Sequence, residues 1–255
     1  MGNFLFNVLS VLWTILCGII FIPLLFIGSP HIIISAAKVW VYGVLQLLRA
    51  CCGITYEVRG LEHLSSSKKM IFMSKHHSAF ETFLLTHIIQ RPTYVLKKEL
   101  IWVPLVGLYL FFSKMITIDK ISYAVSFKKM IRQVRERINA GRNIIIFPEG
   151  GRVQINEDVE YQRGISALYS DPNLQNVEFI PVALNCGLFW PYGFFDKKTA
   201  GRTIIQFLPP VQKSLPKNEF MKTIKKVIDE ETAKLVEEGY RDFYPPKKGF
   251  EEVKQ

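Results

Sequence analysis

Residues 70–89, MIFMSKHHSAFETFLLTHII, are the first of two segments that decide the fold. An apolar run, Met70 to Met73, opens the segment, and a second apolar run, Phe83 to Ile89, closes it. Polar residues that include His76 and Glu81 lie between the two runs. This order predicts a strand that passes through a polar turn into a helix.

The second segment is residues 143–152, NIIIFPEGGR, in which a buried-type strand runs into Glu149, Gly150, Gly151 and Arg152. Short β-rich runs and helical patterns alternate on both sides of these segments, which predicts one α/β domain with a mixed β-sheet flanked by helices. The predicted strands are Thr55 to Arg59, Met70 to Met73, Thr93 to Leu96, Met115 to Ile118, Asn143 to Phe147, Val177 to Ala183 and Arg202 to Leu208. The predicted amphipathic helices are Ala124 to Ala140, with Gly141 as its stop, and Asn218 to Glu238.

The N-terminal region has a different composition, because residues 2–37 contain no Asp, Glu, Lys or Arg. Residues 2–28 form one apolar run, long enough to cross a hydrocarbon layer of roughly 30 Å, before Ser29-Pro30 interrupts it. The run is too long for a secretory signal and has no basic start, although residues 35–37 resemble a weak cleavage site. We therefore expect a retained membrane anchor over residues 1–50, a catalytic domain over 51–240 and a C-terminal tail over 241–255.

The stretch from His31 to Arg49 places Lys38, Tyr42, Gln46 and Arg49 on one helical stripe. This pattern favours a helix that lies in the headgroup plane with its cations at lipid phosphates. The alternative is a second span in which Lys38 reaches back to the interface.

The chain carries 32 Lys and Arg against 22 Asp and Glu, a net charge of +10, and 49% of its residues are hydrophobic. This composition excludes a disordered chain. Lys38 and Arg49 give the first 50 residues +2, so the remainder carries +8. We expect the domain on the cytoplasmic face of the inner membrane, at an anionic membrane surface. An acidic partner or a nucleic acid would also suit the charge, but no nucleic-acid module is found.

Several common kinds of site are absent from the sequence. Serine-hydrolase, zincin, dinucleotide and P-loop motifs do not occur, and the four Cys residues have no zinc-like spacing, so no metal site is predicted. Cys186 has no catalytic role in this interpretation, and the four thiols indicate a reducing, cytoplasmic setting.

The first segment can supply general-base catalysis if His76 lies in the turn before the helix. A carboxylate at Glu81, in the first helical turn, can then fix one ring nitrogen and leave the other free as a base. The alternative is that Glu81 only caps the helix, because Ser78-x-x-Glu81 is a capping box. In the second segment the amides of Gly150 and Gly151 with Arg152 suit an anion. A tight turn with a solvated Arg152 is the alternative.

Together these residues resemble the 1-acylglycerol-3-phosphate acyltransferases, also called lysophosphatidic acid acyltransferases, over nearly the whole chain. The family's His-x4-Asp block is matched with Glu in place of Asp, a variant also seen among bacterial members. The matched blocks are His76 to Glu81, then Lys97-Lys98-Glu99-Leu100 with Pro104, Gly107 and Ile118-Asp119-Lys120, then Phe147 to Arg152, and lastly Ile180 to Leu184. Gly151 stands where Thr is usual, and Lys120 stands where Arg is usual.

The resemblance implies a glycerolipid acyltransferase fold and transfer of an acyl group to the sn-2 hydroxyl of lysophosphatidic acid. His76 is then the base and Glu81 its orienting carboxylate. Lys97, Gly150, Gly151 and Arg152 are the expected phosphate ligands, and Glu149 is expected to position the acceptor hydroxyls. The resemblance implies no cofactor, and the acyl donor is acyl-CoA or acyl carrier protein.

Three other functions remain open from the sequence: an acyltransferase for glycerol 3-phosphate or another lysolipid, a thioesterase, and a non-catalytic lipid-binding membrane protein. Residues 102–112 are a candidate wall for an apolar acyl tunnel, with ordinary core packing as the alternative.

Overall fold

In the part of the chain that the structure describes, seven strands form one sheet, and each lies where the sequence predicts a strand. The strand bounds are β1 (Ile54–Arg59), β2 (Lys69–Ser74), β3 (Pro92–Lys97), β4 (Ile116–Ile118), β5 (Asn143–Ile146), β6 (Val177–Leu184) and β7 (Gly201–Phe207). Their order in the sheet is β1-β7-β6-β2-β5-β3-β4. β6 and β7 pair antiparallel, whereas the other neighbours pair in parallel, so the predicted mixed sheet is confirmed.

The computed structural model describes residues 1–65, 67–119, 123–155, 157–211 and 213–243. Within them the α-helices are α1 (Gly2–Ile20), α2 (Ile22–Phe26), α3 (Pro30–Cys52), α4 (Phe80–Ile88), α5 (Val106–Phe112), α6 (Tyr123–Asn139), α7 (Ser166–Tyr169) and α8 (Lys217–Phe243). Both predicted amphipathic helices are present as α6 and α8. Helix α6 ends where expected, because Gly141 adopts a left-handed φ of +72° and its N–H reaches the carbonyl of Ile138.

The two faces of the sheet are covered by different helices. Phe72, Ile145 and Ile180 point from the central strands toward α3 and α4. Their neighbours along the strands, among them Ile71 and Ile146, point the other way, toward α6 and α8. A strand alternates its side chains, and burial on both faces explains why β2, β5 and β6 are almost wholly apolar.

The N-terminal apolar run of residues 2–28 folds as two helices rather than one. Helix α1 ends at Ile20, and the five-residue α2 follows after Phe21. Pro23, near the start of α2, explains the break, because proline has no N–H to donate and its ring clashes with the preceding turn. By length and composition, α1 and α3 are each sufficient to cross a membrane.

Helices α1 and α3 form an antiparallel hairpin that lies along the α/β part of the chain. Within the hairpin, Trp13 Nε1 donates to the Trp40 carbonyl at 2.9 Å. At one end of α1, Asn3 Nδ2 donates to the carbonyl of Lys198 at 2.9 Å, and near the other end the Tyr109 hydroxyl donates to the carbonyl of Gly18 at 2.7 Å. The hairpin is therefore fixed to the domain near both ends of α1.

Three of the four residues in the predicted stripe on α3 are exposed: Tyr42, Gln46 and Arg49. Lys38 is the exception, because its Nζ donates to the carbonyls of His87 and Ile89, at 3.2 and 2.9 Å. The last turn of a helix leaves carbonyls without intrahelical partners, and these attract a cation. Lys38 therefore binds the end of α4 rather than pointing to a lipid phosphate as predicted.

Candidate active site

The two segments that decide the fold meet at one edge of the sheet. β2 and β5 are parallel neighbours, with Met73 beside Ile146, so their carboxyl ends lie side by side. After β2 the chain enters α4 on one face of the sheet, and after β5 it continues to α7 on the other face. Connections that diverge in this way open a crevice outside the strand ends, which is where α/β sheets bind ligands.

His76 lies in the turn between β2 and α4, as the sequence predicts. Its Nδ1 is 2.8 Å from Glu81 Oε1, and the ring stacks on Phe147 with 3.9 Å between the ring centroids. Because a carboxylate only accepts, Nδ1 carries the proton and Nε2 is the basic nitrogen of the neutral ring. This is the arrangement that a general base needs.

Glu81 combines both roles that the sequence left open. Besides His76, its carboxylate accepts from the Ser78 N–H at 2.8 Å and from the Ser78 hydroxyl at 3.0 Å, so it also closes the first turn of α4. The side chain has no solvent exposure, and burial alone would raise the pKa of the carboxyl. The bonds from His76 and Ser78, together with the charges of His76 and His77, outweigh burial and hold that pKa below its ordinary value.

The second segment fixes the backbone of His76 on both sides. Glu149 Oε2 accepts the His76 N–H at 2.8 Å, and the Val153 N–H donates to the His76 carbonyl at 2.8 Å. Burial raises the pKa of Glu149 to about 7, although Lys75 and the His76 N–H oppose that shift. Glu149, predicted to position acceptor hydroxyls, thus also has protein partners of its own.

Lys75 is part of the site and was missed by the sequence analysis. Its buried Nζ lies 3.0 Å from Glu149 Oε1 and 2.7 Å from Asp229 Oδ1 on α8. Burial lowers the pKa of Lys75, but the two carboxylates together outweigh it and leave the pKa raised. The sequence feature that indicates its role is its place at the end of a buried apolar strand, because a buried charge there needs an acidic partner. No local pattern identifies that partner in α8.

The predicted anion-binding residues come together beside His76. Gly150 has a left-handed φ of +74° and turns the chain after β5. Lys97 Nζ lies 3.9 Å from the position that a Cβ on Gly151 would occupy, so the end of β3 meets this turn. Arg152 Nη1 donates to the carbonyl of Tyr192 at 3.0 Å, which ties its guanidinium to the loop after β6. Arg152 is thus not simply solvated.

All seven predicted site residues except the fully buried Glu81 line one cavity of about 1140 Å³. Beyond His76 the cavity is mostly apolar and continues between the domain and the N-terminal hairpin. Cys17, Gly18 and Trp40 line it from the hairpin, and Leu105 and Tyr109 from α5 and the residue before it. Part of the stretch 102–112 is thus a cavity wall, whereas Trp102 and Phe111 face elsewhere.

Other residues considered from the sequence do not join this site. His77 is buried and does not line the cavity, and burial lowers its pKa to about 4. Cys186 is buried, and burial raises the pKa of its thiol well above the ordinary value, which makes it unreactive. Lys120 lies outside the described residues. Within the described part of the chain, no three His, Cys, Asp or Glu side chains are grouped to hold a metal ion.

Comparisons with known proteins agree with the fold. The crystal structure of the 1-acyl-sn-glycerophosphate (LPA) acyltransferase PlsC from Thermotoga maritima is similar, with a TM-score of 0.67 and 17% identity. The match covers 91% of this chain and 97% of that one. At this identity the likeness establishes the fold, including a sheet flanked by helices.

Sequence relatives point to one family. The chain is 36% identical over 152 residues to a 1-acyl-sn-glycerol-3-phosphate acyltransferase of Pseudomonas aeruginosa, covering 60% of this chain and 58% of that protein. It is 28% identical over 180 residues to the enzyme of that name from Limnanthes douglasii, covering 70% and 59%. The chain thus spans about three fifths of the length of these relatives. The acyltransferase family model matches residues 55–185, which hold β1 to β6 and every predicted site residue, and the chain therefore belongs to the acyltransferase family.

Proposed function

We propose that this protein transfers a fatty acyl group to the sn-2 hydroxyl of lysophosphatidic acid and so makes phosphatidic acid. The observation that carries the proposal is the 2.8 Å contact between His76 Nδ1 and Glu81 at the wall of a large apolar cavity. A base in the wall of an apolar cavity suits an acceptor and a donor that both carry long chains. The names of the relatives support the same acceptor.

The reaction needs one base and no covalent enzyme intermediate. His76 Nε2 takes the proton from the acceptor hydroxyl, and the oxygen attacks the thioester carbonyl of acyl-CoA or acyl carrier protein. The tetrahedral intermediate then expels the thiolate, which takes the proton from the imidazolium. Glu81 holds the ring and stabilises its positive charge, and general-base catalysis of this kind contributes about 10² to 10⁴ in rate.

The acceptor phosphate lies, in this proposal, at the turn formed by Gly150, Gly151 and Arg152, with Lys97 beside it. The guanidinium and the ammonium supply charge, and the glycines allow close approach of the backbone. Glu149 fixes the His76 backbone and positions the acceptor hydroxyls. The donor chain occupies the apolar cavity between the domain and the hairpin. The reaction requires no cofactor.

The hairpin acts as a membrane anchor that lies in one leaflet of the inner membrane, with the catalytic domain on the cytoplasmic face. Its attachment to the domain near both ends of α1 supports this, because a helix fixed along the domain surface does not project across a bilayer. The outward side of α1 is apolar, with Phe4, Leu12 and Ile19 exposed. The net charge of +10 favours an anionic surface.

His76→Ala tests the reaction. Purified protein in mixed micelles should release CoA from acyl-CoA when lysophosphatidic acid is present, and the variant should lose this activity while remaining in the membrane fraction. Near-normal turnover by the variant would refute the role of His76. Thiol release without any acceptor would identify a thioesterase instead.

A panel of acceptors tests the substrate. Lysophosphatidic acid should be preferred to glycerol 3-phosphate and to lysolipids with larger headgroups. Arg152→Ala should mainly raise the Michaelis constant for the phosphorylated acceptor. An unchanged acceptor dependence would place the phosphate elsewhere, and a preference for another acceptor would reassign the substrate.

A further inference from the structure

A second groove, of about 750 Å³, lies at the β4 edge of the sheet, outside the catalytic cavity. Its walls are the 3₁₀ turn Lys98–Trp102, the end of α5 and one side of α6. Gly28, at the turn of the N-terminal hairpin, reaches the same groove. The groove therefore adjoins the part of the protein that is proposed to meet the membrane.

The groove is basic. Four cationic residues line it, and none of the described lining residues is acidic; the four are Lys98, Lys114, Lys129 and Arg137. Two carboxylates lie nearby, since Asp119 is 3.3 Å from Lys98 Nζ and Glu136 is 3.6 Å from Arg137 Nη1. Among the described residues, no carboxylate lies within ion-pair distance of Lys114 or Lys129. These two charges are available to an anion.

Large apolar side chains accompany the charges. Trp102 is 81% exposed and Phe111 is 64% exposed, and both line the groove. At the hairpin turn beside Gly28, Phe26 and Ile27 are exposed as well. Tryptophan next to cations and an exposed apolar surface is the composition of a segment that sits at the headgroup level of a bilayer.

The corner that carries Lys114 is held firmly in place. Lys114 adopts a left-handed φ of +55°, which costs a non-glycine residue free energy unless the surroundings enforce it. Arg137 Nε donates to the Lys114 carbonyl at 2.9 Å, and the buried Arg142 donates to the Ser113 carbonyl at 2.8 Å. Two guanidinium groups thus fix this edge of the groove through its backbone carbonyls.

We propose that this groove binds the phosphate of an anionic membrane phospholipid, with Lys114 and Lys129 as its main ligands. The acyl chain of the bound lipid lies against Trp102 and Phe111. A free phosphate compound would not need these apolar walls, and continuity with the hairpin at Gly28 favours a lipid of the same leaflet. The inference rests on the proposed membrane association of the hairpin and not on the acyl-transfer reaction.

A bound lipid would orient the catalytic cavity. The turn and helix that wall the groove, residues 98–112, also wall the cavity on their other side through Leu100, Leu105 and Tyr109. A lipid that holds Trp102 at the headgroup level therefore holds this cavity wall at the same level. A chain leaving the bilayer could then enter the cavity without crossing water.

Vesicle flotation of the full chain tests the proposal. The groove variant carries both Lys114→Gln and Lys129→Gln. The control variant carries both Lys217→Gln and Lys222→Gln, which removes the same amount of charge from α8, the helix that packs over β6 and β7. Vesicles of phosphatidylcholine with and without phosphatidylglycerol are used at low salt. Each cation near an anionic leaflet contributes about 1 kcal/mol, and about 1.4 kcal/mol is tenfold in an equilibrium constant. The groove variant should lose about 10- to 30-fold in partition coefficient on anionic vesicles only, and the α8 variant much less.

A second measurement separates a groove ligand from general attraction to charge. Native mass spectrometry of the wild-type chain from mixed micelles should retain phosphatidylglycerol in preference to phosphatidylcholine, and the groove variant should lose that preference. Equal losses of vesicle binding by both variants would overturn the proposal. So would unchanged vesicle binding together with a loss, in the groove variant, of direct binding to acyl carrier protein, which would assign the groove to that partner. Neither readout uses acyl transfer, so failure of the proposed reaction would remain distinguishable.

Discussion

Replacing Lys75 by Met gives the sharpest test of how the turn that carries His76 is held. Methionine keeps the length of the side chain but removes the ammonium that lies 3.0 Å from Glu149 Oε1 and 2.7 Å from Asp229 Oδ1. Removal of one partner from a buried ion pair costs about 3 to 5 kcal/mol of unfolding free energy. Here Glu149 can escape part of that cost by taking up a proton, so the loss depends on pH.

The sign of the pH dependence follows from Glu149. Its folded pKa is raised from 4.5 to about 7, so stability is greatest below the unfolded pKa and falls as pH rises through about 7. In the wild type the stability stops falling above about pH 7, where Glu149 is ionised beside Lys75. Without Lys75 the pKa rises further, and the variant keeps losing stability above pH 7, by at most about 1.4 kcal/mol per pH unit.

We therefore expect Lys75→Met to cost about 1 to 2 kcal/mol at pH 6 and about 2 to 4 kcal/mol at pH 8. Urea unfolding in nonionic micelles, followed by circular dichroism at both pH values, measures this. Lys225→Met is the control, because Lys225 Nζ contacts the same Asp229 at 2.7 Å but is not bonded to Glu149 and is partly exposed. It should cost no more than about 1 kcal/mol at either pH. An equal loss for Lys75→Met at pH 6 and pH 8 would refute the coupling to Glu149.

Two further changes address the base and the cavity. Glu81→Gln keeps the size of the side chain but removes its charge, so single-turnover acyl transfer should slow by about 10² to 10⁴ with the chain still folded, and a rate within twofold of wild type would contradict the role of Glu81. Gly18→Leu adds a side chain to α1 whose Cβ would lie 2.9 Å from Leu105 Cδ2, in the wall of the cavity. A panel of acyl-CoA substrates should then show a shift of preference to shorter chains, and an unchanged preference would place the acyl chain elsewhere.

Local pattern was sufficient to predict the strands, because each one depends on its own run of apolar residues. The seven strands and both amphipathic helices follow from periodicity and from stops such as Gly141. The proximity of His76 to Gly150 also follows, since parallel strands that end in polar turns bring those turns to one edge. The break at Phe21 follows from Pro23, which lies inside the apolar run of residues 2–28.

What the sequence could not predict are contacts that only the packing of distant elements creates. Lys38 was assigned to lipid because a cation on an apolar helix usually seeks water or phosphate. The end of α4, about 50 residues later, supplies two carbonyls instead. The carboxylate of Asp229 reaches Lys75 in the same way, because α8 packs on the face of the sheet opposite α4 and brings Asp229 to the end of β2. Neither contact has a spacing that a linear pattern can reveal.

Two sets of contacts hold His76: one orients its ring, and the other fixes its backbone. Glu81 holds the imidazole from within the same turn and helix, so a short segment suffices to orient the ring. The backbone of His76, by contrast, depends on Glu149 in the turn after β5, and Glu149 depends on Lys75, which in turn contacts α8 through Asp229. Glu149, whose pKa is raised to about 7, therefore lies at the centre of the contacts that fix the His76 backbone. The position of the base should be less well fixed when Glu149 loses its lysine than when α8 alone is perturbed at Lys225.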